Sequence, residues 1–141
     1  MNQNLDRFLK AQADDYAIAL AEIKSGRKKS HWMWYIFPQI QGLGFSETSK
    51  FYAIKNIEEA KDYLKHPILG TRLMEIANEL LLLEQTDAYK IFGCPDDLKL
   101  KSCMTLFSVI EESNDSIFKK VIDKFFNGNF DSKTIEILNN L

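Results

Sequence analysis

Six consecutive residues, Trp32-Met33-Trp34-Tyr35-Ile36-Phe37, are all aromatic or aliphatic, and no stable fold can leave such a run in water. Each aromatic ring removes roughly 150–250 Å² from solvent when buried, so a core must be assembled around this segment. Its flanks are equally defined. The basic loop Gly26-Arg27-Lys28-Lys29-Ser30-His31 leads in, and Pro38-Gln39 leads out. Residues three and four apart share a helix face, which groups His31 with Trp34 and Tyr35, and Trp32 with Tyr35 and Ile36. A helix apolar in every direction is buried in every direction. The expectation is a central aromatic helix from His31 to Phe37, capped by Ser30 and ended by Pro38.

The rest of the chain has helical rather than strand periodicity. Leu5, Phe8, Leu9, Ala13, Tyr16, Leu20 and Ile23 mark a first amphipathic segment with a break near Gln12, stopped by Gly26. Gln39 to Phe45 reads as an irregular connection. Ser46 caps a helix over Glu47–Ala53, and Asn56 caps one running to Lys65. Pro67 opens the longest segment, to Glu84, with Leu69, Leu73, Ile76, Ala77, Leu80 and Leu83 inward. Thr86 or Asp87 caps a short turn ending at Gly93. Pro95 starts a helix through Leu98, Met104, Phe107 and Ile110, and Asn114 to Phe126 forms an amphipathic segment. Asp131 caps the last helix. These 141 residues predict one all-α domain of eight or nine short helices, its aromatic helix enclosed by those opening at Pro67 and Pro95.

Composition narrows the class. At 45% hydrophobic and 27% charged residues the chain is globular, and a net charge of −2 creates no field that favours nucleic acid or an anionic membrane. Cys94 and Cys103 show no CxxC spacing and read as reduced thiols. Met1 to Asp6 lacks a basic-then-apolar leader, so a soluble cytoplasmic protein is expected. His31 and His66 have no ligand spacing with the cysteines, so neither metal nor cofactor is expected.

Candidate chemistry gathers at the basic entry. Cations beside the first N–H groups of a helix suit a phosphate or carboxylate, with Trp and Tyr faces for stacking. The ligand set read from the sequence is Lys29, Ser30, His31 and Trp34, joined by Arg72, whose planar fork recognises such groups. Ser102 and Thr105 share one stripe as a polar lining, although mid-helix hydroxyls more often bond their own carbonyl one turn back. An enzyme built here would use His31 as its near-neutral general base. An anionic small molecule is thus the expected partner, and the alternative is an adaptor presenting a helical groove to another protein.

The segment Lys29 to Gln39, a basic residue followed by Ser-His-Trp-Met-Trp, an aliphatic-aromatic pair and Pro-Gln, resembles a family signature. The resemblance continues through Gly42-Leu43-Gly44, Tyr52-Ala53-Ile54, Ala60, Tyr63-Leu64, His66-Pro67, Leu69-Gly70 and Arg72-Leu73. It extends to Asp97-Leu98-Lys99, Ser102, Met104-Thr105-Leu106-Phe107, Phe125-Phe126 and Asp131. The chain is thereby similar to the small bacterial proteins grouped as domain of unknown function 1810. The resemblance implies a mainly helical single domain and carries over no activity, substrate or catalytic residue. The label calpastatin, given to some such proteins, does not fit: that inhibitor is a disordered repeat protein.

Overall fold

A computed structural model describes residues 5–113 and 115–141. The expected leaderless start at Met1–Asn4 and the helix start at Asn114 lie outside the described residues. Among the described residues there are nine helices: α1 (Asp6–Lys24), α2 (Met33–Ile36), α3 (Glu47–Tyr52), α4 (Ile57–Lys65), α5 (Leu69–Leu82), α6 (Ala88–Phe92), α7 (Asp96–Glu111), α8 (Ile117–Phe126) and α9 (Ser132–Asn139). The chain is an all-α single domain, as its periodicity predicts. One isolated parallel bridge joins Ile40 to Ile54. No described helix is long and apolar enough to cross a membrane.

Local chemistry sets most boundaries. Side chains of Ser46, Asn56, Asp87 and Asp131 accept the N–H groups of Ser49, Glu59, Tyr89 and Thr134, each satisfying a donor that the helix start leaves open. Ser116 does the same for α8. The imidazole Nδ1 of His66 accepts from the N–H groups of Ile68 and Leu69, closing the corner between α4 and α5. That corner is tight: a Cβ on Gly70 would stand 2.0 Å from the Leu64 carbonyl oxygen, so no larger residue fits there.

α1, not the Pro67 helix, is the longest at 19 residues, and it does not break at Gln12. Gln12 faces the core because its amide Nε2 donates to the Tyr35 carbonyl at 2.8 Å and the Tyr63 hydroxyl at 3.0 Å. A second polar group enters the core close by. Arg7 donates to Glu59 (2.9 and 3.2 Å) and to the carbonyls of Phe51 and Ala53, with both side chains almost fully buried. α5 buries Leu69, Leu73, Ile76, Ala77 and Leu80 of the expected stripe, whereas Leu83 ends the helix as its C-cap and is only half-buried.

α7 is enclosed on every side from Ser102 to Ser108 and packs against α4, α6, α8 and α9. α2 is a single turn packed chiefly on α1 and α3, rather than held between α5 and α7. It is also two-faced. Trp32, Met33, Ile36 and Phe37 are buried, while Trp34 and Tyr35 are half-exposed and His31 is exposed. Ser30 does not cap it, because the Ser30 hydroxyl donates to Glu22 instead.

Candidate functional site

The basic loop closes on a carboxylate of its own chain. Glu22, in the last turns of α1, accepts the backbone N–H groups of Lys29 (2.7 Å) and Ser30 (3.0 Å), the Ser30 hydroxyl (2.6 Å) and the Trp32 indole N–H (2.9 Å). Burial pushes its pKa up, but these donors outweigh burial and hold it at about 2. The anion site that the sequence places at Lys29 and Ser30 is therefore filled from within.

A second carboxylate organises the next cations. Asp96, at the start of α7, pairs with Lys28 at 2.9 Å and Lys99 at 3.0 Å. Burial opposes the charge on Asp96, but the two ammoniums prevail and hold its pKa below the usual carboxylate range. Lys28 also donates to the Ser30 carbonyl at 2.5 Å and lies 4.9 Å from the Trp32 ring centre. Lys99 lies 4.1 Å over the Trp34 ring. Two ammoniums share one carboxylate, and each covers one of the two indoles.

Trp34 and Lys99 form the wall common to two clefts. On one side, a cleft of about 330 Å³ is lined by Lys28, His31, Tyr35, Ser46, Thr48 and Asp96. On the other, a cleft of about 310 Å³ is lined by Gln39, Leu43, Pro95, Leu98, Ser102 and Lys133, with Gly44 and Asp131 completing it. Gly44 is required for this construction: a Cβ there would stand 2.6 Å from Ser49 Cβ and 3.4 Å from Trp34. Gln39 is 7% exposed, and its amide Nε2 is buried with no acceptor among the described residues. Buried amide donors are nearly always paired, so this one is an exception, in a residue that lines both this cleft and a neighbouring one bounded by Ile40, Ser49 and Tyr52.

The family model for proteins of unknown function, DUF1810, matches residues 2–138. The chain belongs to this family. The crystal structure of the conserved hypothetical protein Rv1873 from Mycobacterium tuberculosis is similar at 41% identity, with 96% of each chain covered and a TM-score of 0.93. The search of curated proteins gave no match.

Within this DUF1810 chain, the residues singled out from sequence divide into three groups. His31, Trp34 and Ser102 line the paired clefts, with the Ser102 hydroxyl also donating to the Leu98 carbonyl at 3.1 Å. Lys29 and Ser30 converge on Glu22. Arg72 and Thr105 go elsewhere. Arg72 donates to Gln12 Oε1 at 3.3 Å and sits 5.0 Å over Tyr16, on the face between α1 and α5. Thr105 is fully buried and accepts the Asp131 N–H at 2.9 Å, bracing the entry to α9. The exposed His31 imidazole makes no hydrogen bond among the described residues, so nothing orients it as a base. Stacking on Trp34 is restricted too, since Lys99 covers one of its faces. Gln39, Glu22 and Asp96 were not singled out as site residues. For Gln39 a signal existed, because Pro38-Gln39 closes the aromatic signature.

Proposed function

We propose that this chain is a cytoplasmic binding protein for a small molecule carrying an acceptor oxygen, a carboxylate or phosphate, in the cleft between Trp34 and Ser102. The observation that carries this reading is Gln39, whose buried Nε2 has no acceptor among the described residues and which lines the same cleft as Lys99. Lys99 is held by Asp96 and by the Trp34 ring, so little side-chain freedom remains to be lost on binding. Lys133 adds a second cation at the rim, while Asp131 is engaged by the N–H and hydroxyl of Thr134 at 2.9 and 2.6 Å.

The test is an NMR titration of the full chain with acetate and, separately, inorganic phosphate. Shifts at the Gln39 side-chain amide, Lys99 and Ser102, lost in Gln39→Leu, support the reading. No shift there, or shifts confined to Lys29 and Ser30, would overturn it.

A protein-docking role is the second reading, favoured by Phe45 and Phe51, which are 88% and 54% exposed on the segment leading into and through α3. A concentration-independent monomer that binds acetate at Gln39 argues for the small ligand.

A further inference from the structure

We infer that the ligand of the Trp34 cleft is an amphipathic monoanion, with its charged head beside Lys99 and Gln39 and its apolar body against Leu43, Leu98 and Phe45. This rests on the binding reading above and names its chemical class.

Three features of the cleft select among acids. The first is the charge count. Lys99 shares Asp96 with Lys28, and Lys133 stands 4.0 Å from Glu136 with both side chains largely in water. Asp131 contributes a carboxylate to the same lining. Such a balance accommodates one negative charge and repels a polyanion such as a nucleoside triphosphate. The second is the covered indole. With an ammonium 4.1 Å over the ring, one face of Trp34 is closed as a stacking platform for a sugar or a base.

The third feature is apolar surface left in water beside the charged groups. Leu98 lies in the first turn of α7 among Asp96, Asp97 and Lys99, lines the cleft with Pro95 and Leu43, and is 54% exposed. Phe45 is 88% exposed and stands between Gly44, which lines one cleft, and Ser46, which lines the other. Gln41 and Gly42 form a turn tied to Ile54 through the Gln41 N–H at 2.8 Å, and the Ser46 carbonyl accepts from Lys50 at 3.0 Å, with Gly44 and Phe45 in no regular structure between them. The Phe45 ring is therefore carried on a connection held at both ends, between the two clefts, where an apolar body brings it out of water. Gain from such contact is proportional to the area removed from water.

The experiment is an NMR titration of the full chain with acetate, butanoate and hexanoate, with hexanol as the uncharged control. Affinity should rise about fourfold per added methylene while the tail stays within the cleft. Phe45→Ala and Leu98→Ser, both at exposed positions, should flatten that rise, so that hexanoate loses most of its advantage over acetate. Lys99→Met should weaken every acid by the same factor without weakening hexanol. Equal affinities for acetate and hexanoate would overturn the amphipathic class while leaving anion binding intact. Hexanol binding as tightly as hexanoate would overturn the role of the head. A tail-length gain that persists in both Phe45→Ala and Leu98→Ser would also overturn it. Silence at Gln39 and Lys99 with every acid would instead remove the binding reading itself.

Discussion

The Glu22 carboxylate accepts the indole N–H of Trp32 at 2.9 Å, and that bond turns a solvated basic loop into the lid of an aromatic core. The same carboxylate holds the N–H groups of Lys29 and Ser30, so it plays the part that a bound anion would play at this loop. With its pKa at about 2 against an ordinary 4.5, Glu22 binds a proton less readily folded than unfolded. Its stabilisation is thus complete above about pH 4.5 and is lost as pH falls toward 2. Glu22→Gln should be less stable than the parent at pH 7 by about 1–2 kcal/mol, a value kept small by partial solvation of the group. The gap should shrink between pH 4.5 and 2 in urea denaturation. A gap that stays constant with pH would mean that the hydrogen-bond count, not the charge, matters.

Arg7 and Glu59 bring a more demanding ion pair into the core, 52 residues apart in sequence. Its guanidinium also holds the carbonyls of Phe51 and Ala53, so it fixes the end of α3 onto α1. Removing one partner leaves a buried charge uncompensated, which costs about 3–5 kcal/mol. Glu59→Gln and Arg7→Met should each fall in that range. The double variant should be less destabilised than their sum, as a thermal or urea double-mutant cycle would read. Strict additivity would show that the two groups act independently.

These two carboxylates explain what the sequence could and could not convey. The stripe of Leu69, Leu73, Ile76, Ala77 and Leu80 and the caps at Ser46, Asn56 and Asp131 are local, set by helix period and by one side chain reaching its own first turn. They were legible for that reason. The Ser102 back-bond to Leu98 follows from the same geometry. Gln12 looked like an interruption because its partners, Tyr35 and Tyr63, lie 23 and 51 residues away. Glu22 could not be matched to Ser30 until Gly26 turned the chain back on itself. Arg72 suited an anion by type, yet its position on α5 faces Gln12 and Tyr16. The aromatic block marks a segment that must enter the core but not its orientation: which indole sinks and which borders a cleft depends on where Glu22 and Lys99 arrive.

The two thiols should differ sharply in reactivity. Cys94 is exposed, whereas Cys103 is fully buried within α7, where desolvation raises its pKa well above the ordinary value. A disulfide reagent should modify one thiol per folded chain promptly and the second at the rate of unfolding. Cys94→Ser should abolish the fast phase and leave the slow one. Prompt labelling of two thiols in the folded state would contradict the packing around α7.

The tryptophans offer the most direct check on the candidate site. Trp32 is 1% exposed and bonded to Glu22, while Trp34 is half-exposed with Lys99 over its ring. Acrylamide should quench the parent in two classes, one accessible and one shielded. Trp34→Phe should leave the shielded class. Lys99→Met removes the ammonium from Trp34 and leaves Asp96 with Lys28 alone, so the accessible class should be quenched more strongly. Stability should fall by about 0.5–1 kcal/mol, the worth of an exposed cation–π contact. An unchanged quenching constant in Lys99→Met would show that the ammonium does not cover the indole in solution, and the cleft would lose the wall its two halves share.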